Sequence, residues 1–148
     1  MYEIKSYNQR GKVFTCAEKE FVDRWYSLVS REFKIISLPR FYDIYKQNNI
    51  SAFCLEKNGE ETGVFAYSFQ QDLTGKIIFS EMLVYIKPEY RGDIRLLRKY
   101  IDTAESIARD TGCDSLNIGA NIGYKDQTWL KILKRWGYQD RSLVKSLA

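Results

Sequence analysis

The spacing of apolar residues along this chain changes several times, and each change marks an element. Tyr2 to Tyr7 alternates as a short strand does. From 17 to 31 the period lengthens. Phe21, Trp25, Leu28 and Val29 then share one helix face, and Glu18, Glu20, Asp23 and Arg24 fill the other. Pro39 suits the opening of a second helix, Arg40 to Gln47, with Phe41, Ile44 and Tyr45 on one side and Asn48-Asn49 as its end. Ser51 to Glu56 reads as a strand, Asn58-Gly59-Glu60 as a turn, and Thr62 to Gln70 as the next strand. After a turn at Asp72-Leu73-Thr74-Gly75, Lys76 to Lys87 (KIIFSEMLVYIK) is apolar along most of its length. That density predicts a central strand covered on both faces, stopped by Pro88.

Beyond Pro88 the helical period returns. Over Arg91 to Thr111, Ile94, Leu97, Ile101, Ala104 and Ala108 step by 3, 4, 3 and 4, and Gly112 is a natural stop. Asp114 to Ile118 predicts a short strand. Gln127 to Trp136 predicts a helix with Trp129, Ile132, Leu133 and Trp136 inward, ended by Gly137, and Tyr138 to Leu147 predicts one or two edge strands. The order β-α-α-β-β-β-α-β-α-β(-β) predicts an α/β (α+β) fold, a mixed sheet with helices on both faces.

Composition narrows the chemistry. At 148 residues, 45% hydrophobic and 28% charged, the chain fits one domain, 1–148, with a real core. It has no histidine, which removes a Ser-His-Asp triad, a Cys-His pair, imidazole general-base catalysis and histidine metal sites together. Cys16, Cys54 and Cys113 lie 38 and 59 residues apart with no C-x-x-C spacing, so no metal site is expected. The odd cysteine count, the polar start Tyr2-Glu3-Ile4-Lys5 and the lack of any long apolar run predict a soluble cytoplasmic protein with free thiols and no membrane partner.

Charge is uneven. Residues 1–83 carry 11 basic and 11 acidic side chains; residues 84–148 carry 12 and 8, so the net +4 lies entirely in the C-terminal part. A solvated face accounts for such an excess, and so does attraction for a phosphorylated ligand. Nucleic acid is the weaker reading, because the tryptophans fall on buried helical stripes and the pI is only 8.9.

The most informative segment is Ile86-Lys87-Pro88-Glu89-Tyr90-Arg91-Gly92-Asp93-Ile94-Arg95-Leu96-Leu97, where the central strand passes through a turn into the long helix. Free amides at such a helix start, with the helix dipole, favour an anion. Together with the element order and Trp136-Gly137-Tyr138, this junction resembles the GNAT family of acetyl-CoA-dependent N-acyltransferases. The family signature is an apolar strand, then V-x-P-x-x-R-G-x-G-x-G/A, then a helix. Pro88, Arg91 and Gly92 match it; Ile94 and Leu96 stand where the second and third glycines fall.

The resemblance implies a GNAT-like, mostly antiparallel sheet and acetyl-CoA as co-substrate. Backbone groups of Leu83, Val84, Tyr85 and Ile86 would pair with the pantetheine arm. Amides of Arg91, Gly92, Asp93, Ile94, Arg95 and Leu96 would hold the pyrophosphate. An amine, on a small molecule or a protein, would attack the thioester directly. Glu81, a carboxylate in an apolar strand, would be the general base, and Tyr124 would protonate the leaving thiolate. Tyr85 would also line the acceptor groove, Ser80 and Asn121 would make polar contacts, and Asp93 would otherwise cap the helix. Arg91, Arg95 and Lys99 recur at i, i+4, i+8 and so share one helix face, either a solvated face or one whose side chains would contact the phosphates. The resemblance also implies a bacteriophage source, hence a host cytoplasm. The rival reading is the same fold without catalysis, a binding or structural protein in a homo-oligomer or a larger assembly such as a phage particle.

Overall fold

The computed structural model describes residues 2–6, 16–119, 126–140, 145 and 147. Its elements are β1 (Tyr2–Ser6), α1 (Cys16–Glu32), α2 (Leu38–Gln47), β2 (Ser51–Lys57), β3 (Glu60–Glu61), β4 (Gly63–Gln71), β5 (Ile77–Ile86), α3 (Ile94–Thr111), β6 (Ser115–Asn117) and α4 (Asp126–Arg135). A 3₁₀ turn, Pro88–Tyr90, separates β5 from α3. The strands form one sheet in the order β1-β2-β4-β5-β6, with β3 paired to β2. Every pairing is antiparallel except that of β5 with β6.

The two faces of the sheet bury separate cores. On one, Phe53, Phe65, Phe79, Val84 and Ile86 meet Leu97, Tyr100, Ile101 and Ala104 of α3 and Trp129 and Leu133 of α4. Aromatic rings dominate this layer, with Tyr67 stacked on Phe79 at 4.7 Å and Phe53 on Phe65 at 5.1 Å. On the other face, Ala52, Val64, Ala66 and Tyr85 meet Phe21, Trp25 and Val29 of α1 and Tyr45 of α2. β5 therefore has apolar residues on both faces, as its continuous apolar run requires.

Several boundaries differ from the sequence reading. The helix predicted from Arg91 begins at Ile94, because Gly92 sits at φ +92° and the chain turns there before Asp93 caps the helix. Ile94 does not join the buried stripe; it is 49% exposed. Side chains on a helix lean toward its N-terminus, so that of the first residue projects past the helix end. Residues 138–140 form no strand, and 141–144 lie outside the described residues.

Two features were invisible in the pattern. The β4–β5 register passes from Ala66↔Leu83 to Tyr67↔Glu81, so Met82 is an extra residue, a bulge in mid-strand. Inside the core, Leu55 N–H donates to the Tyr100 hydroxyl at 3.2 Å, and that hydroxyl also pairs with Thr62 Oγ1 at 2.8 Å. A helix side chain thus completes a sheet hydrogen bond where the β2–β4 ladder stops at Phe53↔Phe65.

Candidate active site

The site begins where two parallel strands part. β5 and β6 pair through Ile78↔Ser115, Phe79↔Leu116 and Ser80↔Asn117, and there the ladder stops, although β5 continues to Ile86. Past the last rung, the Glu81 side chain takes the place of backbone pairing: its Oε1 accepts from Gly119 N–H at 3.2 Å. Trp129 Nε1–H donates to the Gly119 carbonyl at 2.6 Å, which holds the departing segment against α4. A carboxylate wedged between the strands keeps them apart. Backbone groups of Leu83 to Ile86 that point away from β4 are left without a β6 partner. Glu81 is 7% exposed.

The junction after β5 is tied to its surroundings by charged links. Arg91 Nε–H donates to the Ile86 carbonyl at 2.8 Å, and its guanidinium reaches both oxygens of Glu32 at the end of α1. Tyr85 O–H donates to the same carboxylate at 2.9 Å. The Arg91 bonds, chiefly, hold the Glu32 carboxyl below the usual carboxylate range. Burial, with the Glu32 charge, pushes the Tyr85 phenol up to about 12. Tyr90 O–H donates to Glu60 at 2.7 Å, and Lys57 Nζ pairs with Asp93 at 3.2 Å. The turn is therefore held by α1 on one side and by the β2–β3 hairpin on the other.

The expected phosphate contacts fall into two groups. The Arg91 guanidinium is turned to Glu32 and Ile86, so this side chain is not on the Arg95–Lys99 helix face that the i, i+4, i+8 spacing predicted. The Leu96 amide donates to Asp93 Oδ1 at 3.1 Å as the helix cap, and the Leu96 side chain is in the core. The capping role offered for Asp93 is thus the one it performs, and Lys57 offsets its charge. Ile94 and Arg95 remain at the first two helical positions, whose N–H groups have no intrahelical acceptor. Arg95 and Lys99 are exposed. A Cβ on Gly92 would meet open space, so the glycine serves its positive φ rather than a close approach.

Tyr85 packs edge-on against Trp25 and Phe33 on the α1 side and is 3% exposed. Neither Tyr85 nor Ile94 fills the gap beyond Ser80: one is packed under α1, the other projects outward. Tyr124 and Asn121 lie outside the described residues. Among the described residues no group of three or more His, Cys, Asp or Glu side chains could hold a metal, and no helix is long and apolar enough to cross a membrane. Cys54 is buried, its thiol donating to Glu61 Oε2 at 3.4 Å, and Cys113 is half-buried. The site contribution that the sequence reading missed is Glu32. It lies 59 residues from Arg91, and no local spacing joins the two.

The solved structures most informative for comparison are acetyltransferases. An aminoglycoside acetyltransferase, HMB0005, from an uncultured soil metagenomic sample superposes with a TM-score of 0.72 at 9% identity, covering 100% of this chain and 98% of its own. AAC(6')-Iy in complex with the bisubstrate analog CoA-S-monomethyl-acetylneamine gives 0.71 at 11% identity, with 100% and 97% covered. Glucosamine-6-phosphate N-acetyltransferase from Arabidopsis thaliana gives 0.62 at 11% identity, with 100% and 98% covered. No family model matches the chain, and no curated protein sequence matches it. The likeness is one of architecture: this chain has the GNAT fold, a mostly antiparallel sheet with helices on both faces.

Proposed function

We propose that this chain is an N-acetyltransferase that uses acetyl-CoA and acylates an amine by direct attack. The observation that carries this reading is the edge of β5 from Leu83 to Ile86, which β6 leaves after Ser80, beside a bulge and running into a helix N-terminus. Leu83 to Ile86 offer backbone groups to a pantetheine arm as an added strand would, the Ile86 carbonyl being shared with Arg91. The Gly92 turn and the amides of Ile94 and Arg95 face the phosphates, with the Arg95 and Lys99 charges nearby. Acetyl-CoA supplies an activated acetyl thioester. In the transfer the amine nitrogen bonds to the carbonyl carbon, the C–S bond breaks, the amine gives up a proton, and the thiolate takes one. Glu81 accepts the first and Tyr124 supplies the second. A backbone amide of the bulged stretch stabilises the carbonyl oxygen as charge develops on it. The acceptor is an amine on a small molecule or a protein. Its setting would be cytoplasmic and, as the family resemblance implies, its source a bacteriophage.

A non-catalytic version of the fold is favoured by one observation: the Arg91 side chain and the Leu96 amide, both expected on the phosphates, are committed within the protein. Calorimetric titration of the folded protein with acetyl-CoA separates the two, followed by thiol-release assays over a panel of amines. Binding in the micromolar range with amine-dependent thiol release supports the transferase. A folded protein that binds nothing at millimolar acetyl-CoA refutes it.

A further inference from the structure

A partly open space of about 30 Å³ lies between α1, α2 and the sheet. Its origin is a row of residues crossing three strands. Ala52 of β2 pairs with Ala66 of β4, and Ala66 pairs with Leu83 of β5. All three face α1 and α2, where Trp25, Phe41 and Tyr45 form the roof. The neighbouring pair Phe53↔Phe65 faces the other way and fills its layer with stacked rings. Here two adjacent methyl groups leave the layer unfilled, a costly arrangement unless the room is used.

The row ends in a functional place. Leu83 is the last residue paired before the Met82 bulge, and it lies on β5 beyond the point where β6 leaves its other edge. On the transferase reading, which this inference rests on, the thioester carbonyl sits beside that bulge. A group extending from the carbonyl past Leu83 would lie along Ala66 and Ala52, over two strand spacings of about 4.8 Å each.

We propose that this space is an acyl pocket that takes the tail of a three- or four-carbon acyl thioester, propionyl-CoA or butyryl-CoA, better than the methyl of acetyl-CoA. The volume sets the length. A water-sized group occupies about 10–15 Å³ of such space, so the pocket of about 30 Å³ holds two or three. Propionyl and butyryl add one and two methylenes beyond acetyl; hexanoyl adds four and overfills it. The lining sets the chemistry. It is aliphatic and aromatic throughout, without a charged residue, so an acyl group ending in a carboxylate, such as succinyl, is excluded.

The test is calorimetric titration of the folded chain with CoA and its acetyl, propionyl, butyryl, hexanoyl and succinyl thioesters. Each methylene buried is worth about a fourfold gain in affinity. The expected order is therefore acetyl, then propionyl about fourfold tighter, then butyryl about 15-fold tighter, with hexanoyl and succinyl falling back. Ala66→Val puts two methyl groups into the row. It should erase the gain from chain length and leave acetyl-CoA affinity unchanged; Ala52→Val serves if that variant does not unfold cooperatively. Equal affinities for acetyl, propionyl and butyryl thioesters overturn the pocket while leaving the transferase. A gain that survives both valine variants overturns it too. No binding of any thioester refutes the transferase reading itself.

Discussion

Glu32→Gln tests the link on which the candidate site rests most visibly. Glu32 ends α1, and its carboxylate receives two N–H bonds from Arg91 and the Tyr85 hydroxyl. Arg91 in turn grips the Ile86 carbonyl and lies over the Tyr85 ring at 5.4 Å. One carboxylate thereby joins the end of α1, the end of β5 and the turn before α3. Glutamine keeps the shape and one acceptor oxygen, but it loses the charge and turns an N–H₂ group toward the guanidinium. Hydrogen bonds to charged partners contribute about 1.5–3 kcal/mol. The Arg91 and Glu32 side chains are 18% and 30% exposed, so the loss belongs toward the lower end, about 2 kcal/mol at pH 7. For a chain of this size that is a fall of about 4–8 °C in Tm.

The pH dependence separates this account from a simple packing defect. Arg91 holds the Glu32 carboxyl below its ordinary value, with burial working against it. A depressed folded pKa contributes stability that is fully present above the unfolded value, about 4.3, and is lost as pH falls through the folded one. Urea unfolding of both proteins from pH 7 to pH 3 should therefore show a constant gap down to about pH 5 and a shrinking gap below pH 4. A gap that is the same at pH 3 and pH 7, or smaller than about 0.5 kcal/mol at pH 7, refutes the reasoning.

Other substitutions probe separate parts. Gly63→Ala would place a Cβ 2.3 Å from the Tyr85 carbonyl and 3.0 Å from Ile86 Cα; both are backbone and cannot swing away, so urea unfolding should show a loss of about 3 kcal/mol. Tyr100→Phe leaves the Leu55 N–H without its buried acceptor, and the expected loss is about 1–3 kcal/mol, with faster exchange of the Leu55 amide as a local readout. Glu81→Gln keeps an acceptor for Gly119 N–H and removes the proposed base. Acetyl-CoA affinity should stay within about twofold while kcat falls by about 10²–10⁴; an unchanged kcat removes Glu81 from the mechanism. Asp93→Ala removes the helix cap at about 1 kcal/mol and frees the Leu96 amide, so the variant should unfold more easily yet bind acetyl-CoA more tightly. Weaker binding would show that the amide is not presented to the phosphates.

The architecture was legible because it rests on local periodicity. The stripe Leu97, Ile101, Ala104, Ala108 and the run from Ile77 to Ile86 each declare an element without help from elsewhere in the chain. The bulge at Met82 was not legible for the same reason that the strand was. In a segment apolar on both faces, a one-residue shift leaves no mark on the pattern. Gly63 falls inside the predicted strand Thr62 to Gln70 with nothing local to mark it, and its close approach to Tyr85 exists only once β5 lies beside it.

The site was read less accurately than the fold, and Arg91 shows why. Its spacing from Arg95 and Lys99 suggested a shared helix face, but that inference needs an unbroken helix between them. Gly92 at positive φ breaks it, and a guanidinium freed from the helix can turn back. What it meets is Glu32, placed there by α1 packing Trp25 against Tyr85. The same long-range packing decides what the junction still offers a phosphate. With Arg91 spent on α1 and Leu96 on Asp93, the proposed binding there would depend on the first two helical amides and on the exposed charges of Arg95 and Lys99. Acetyl-CoA affinity should accordingly fall steeply with ionic strength, because exposed cations are screened within about 10 Å at 0.1 M salt. Titrations at about 50 and 500 mM salt decide the point: equal affinity at both would mean that the phosphates are held elsewhere.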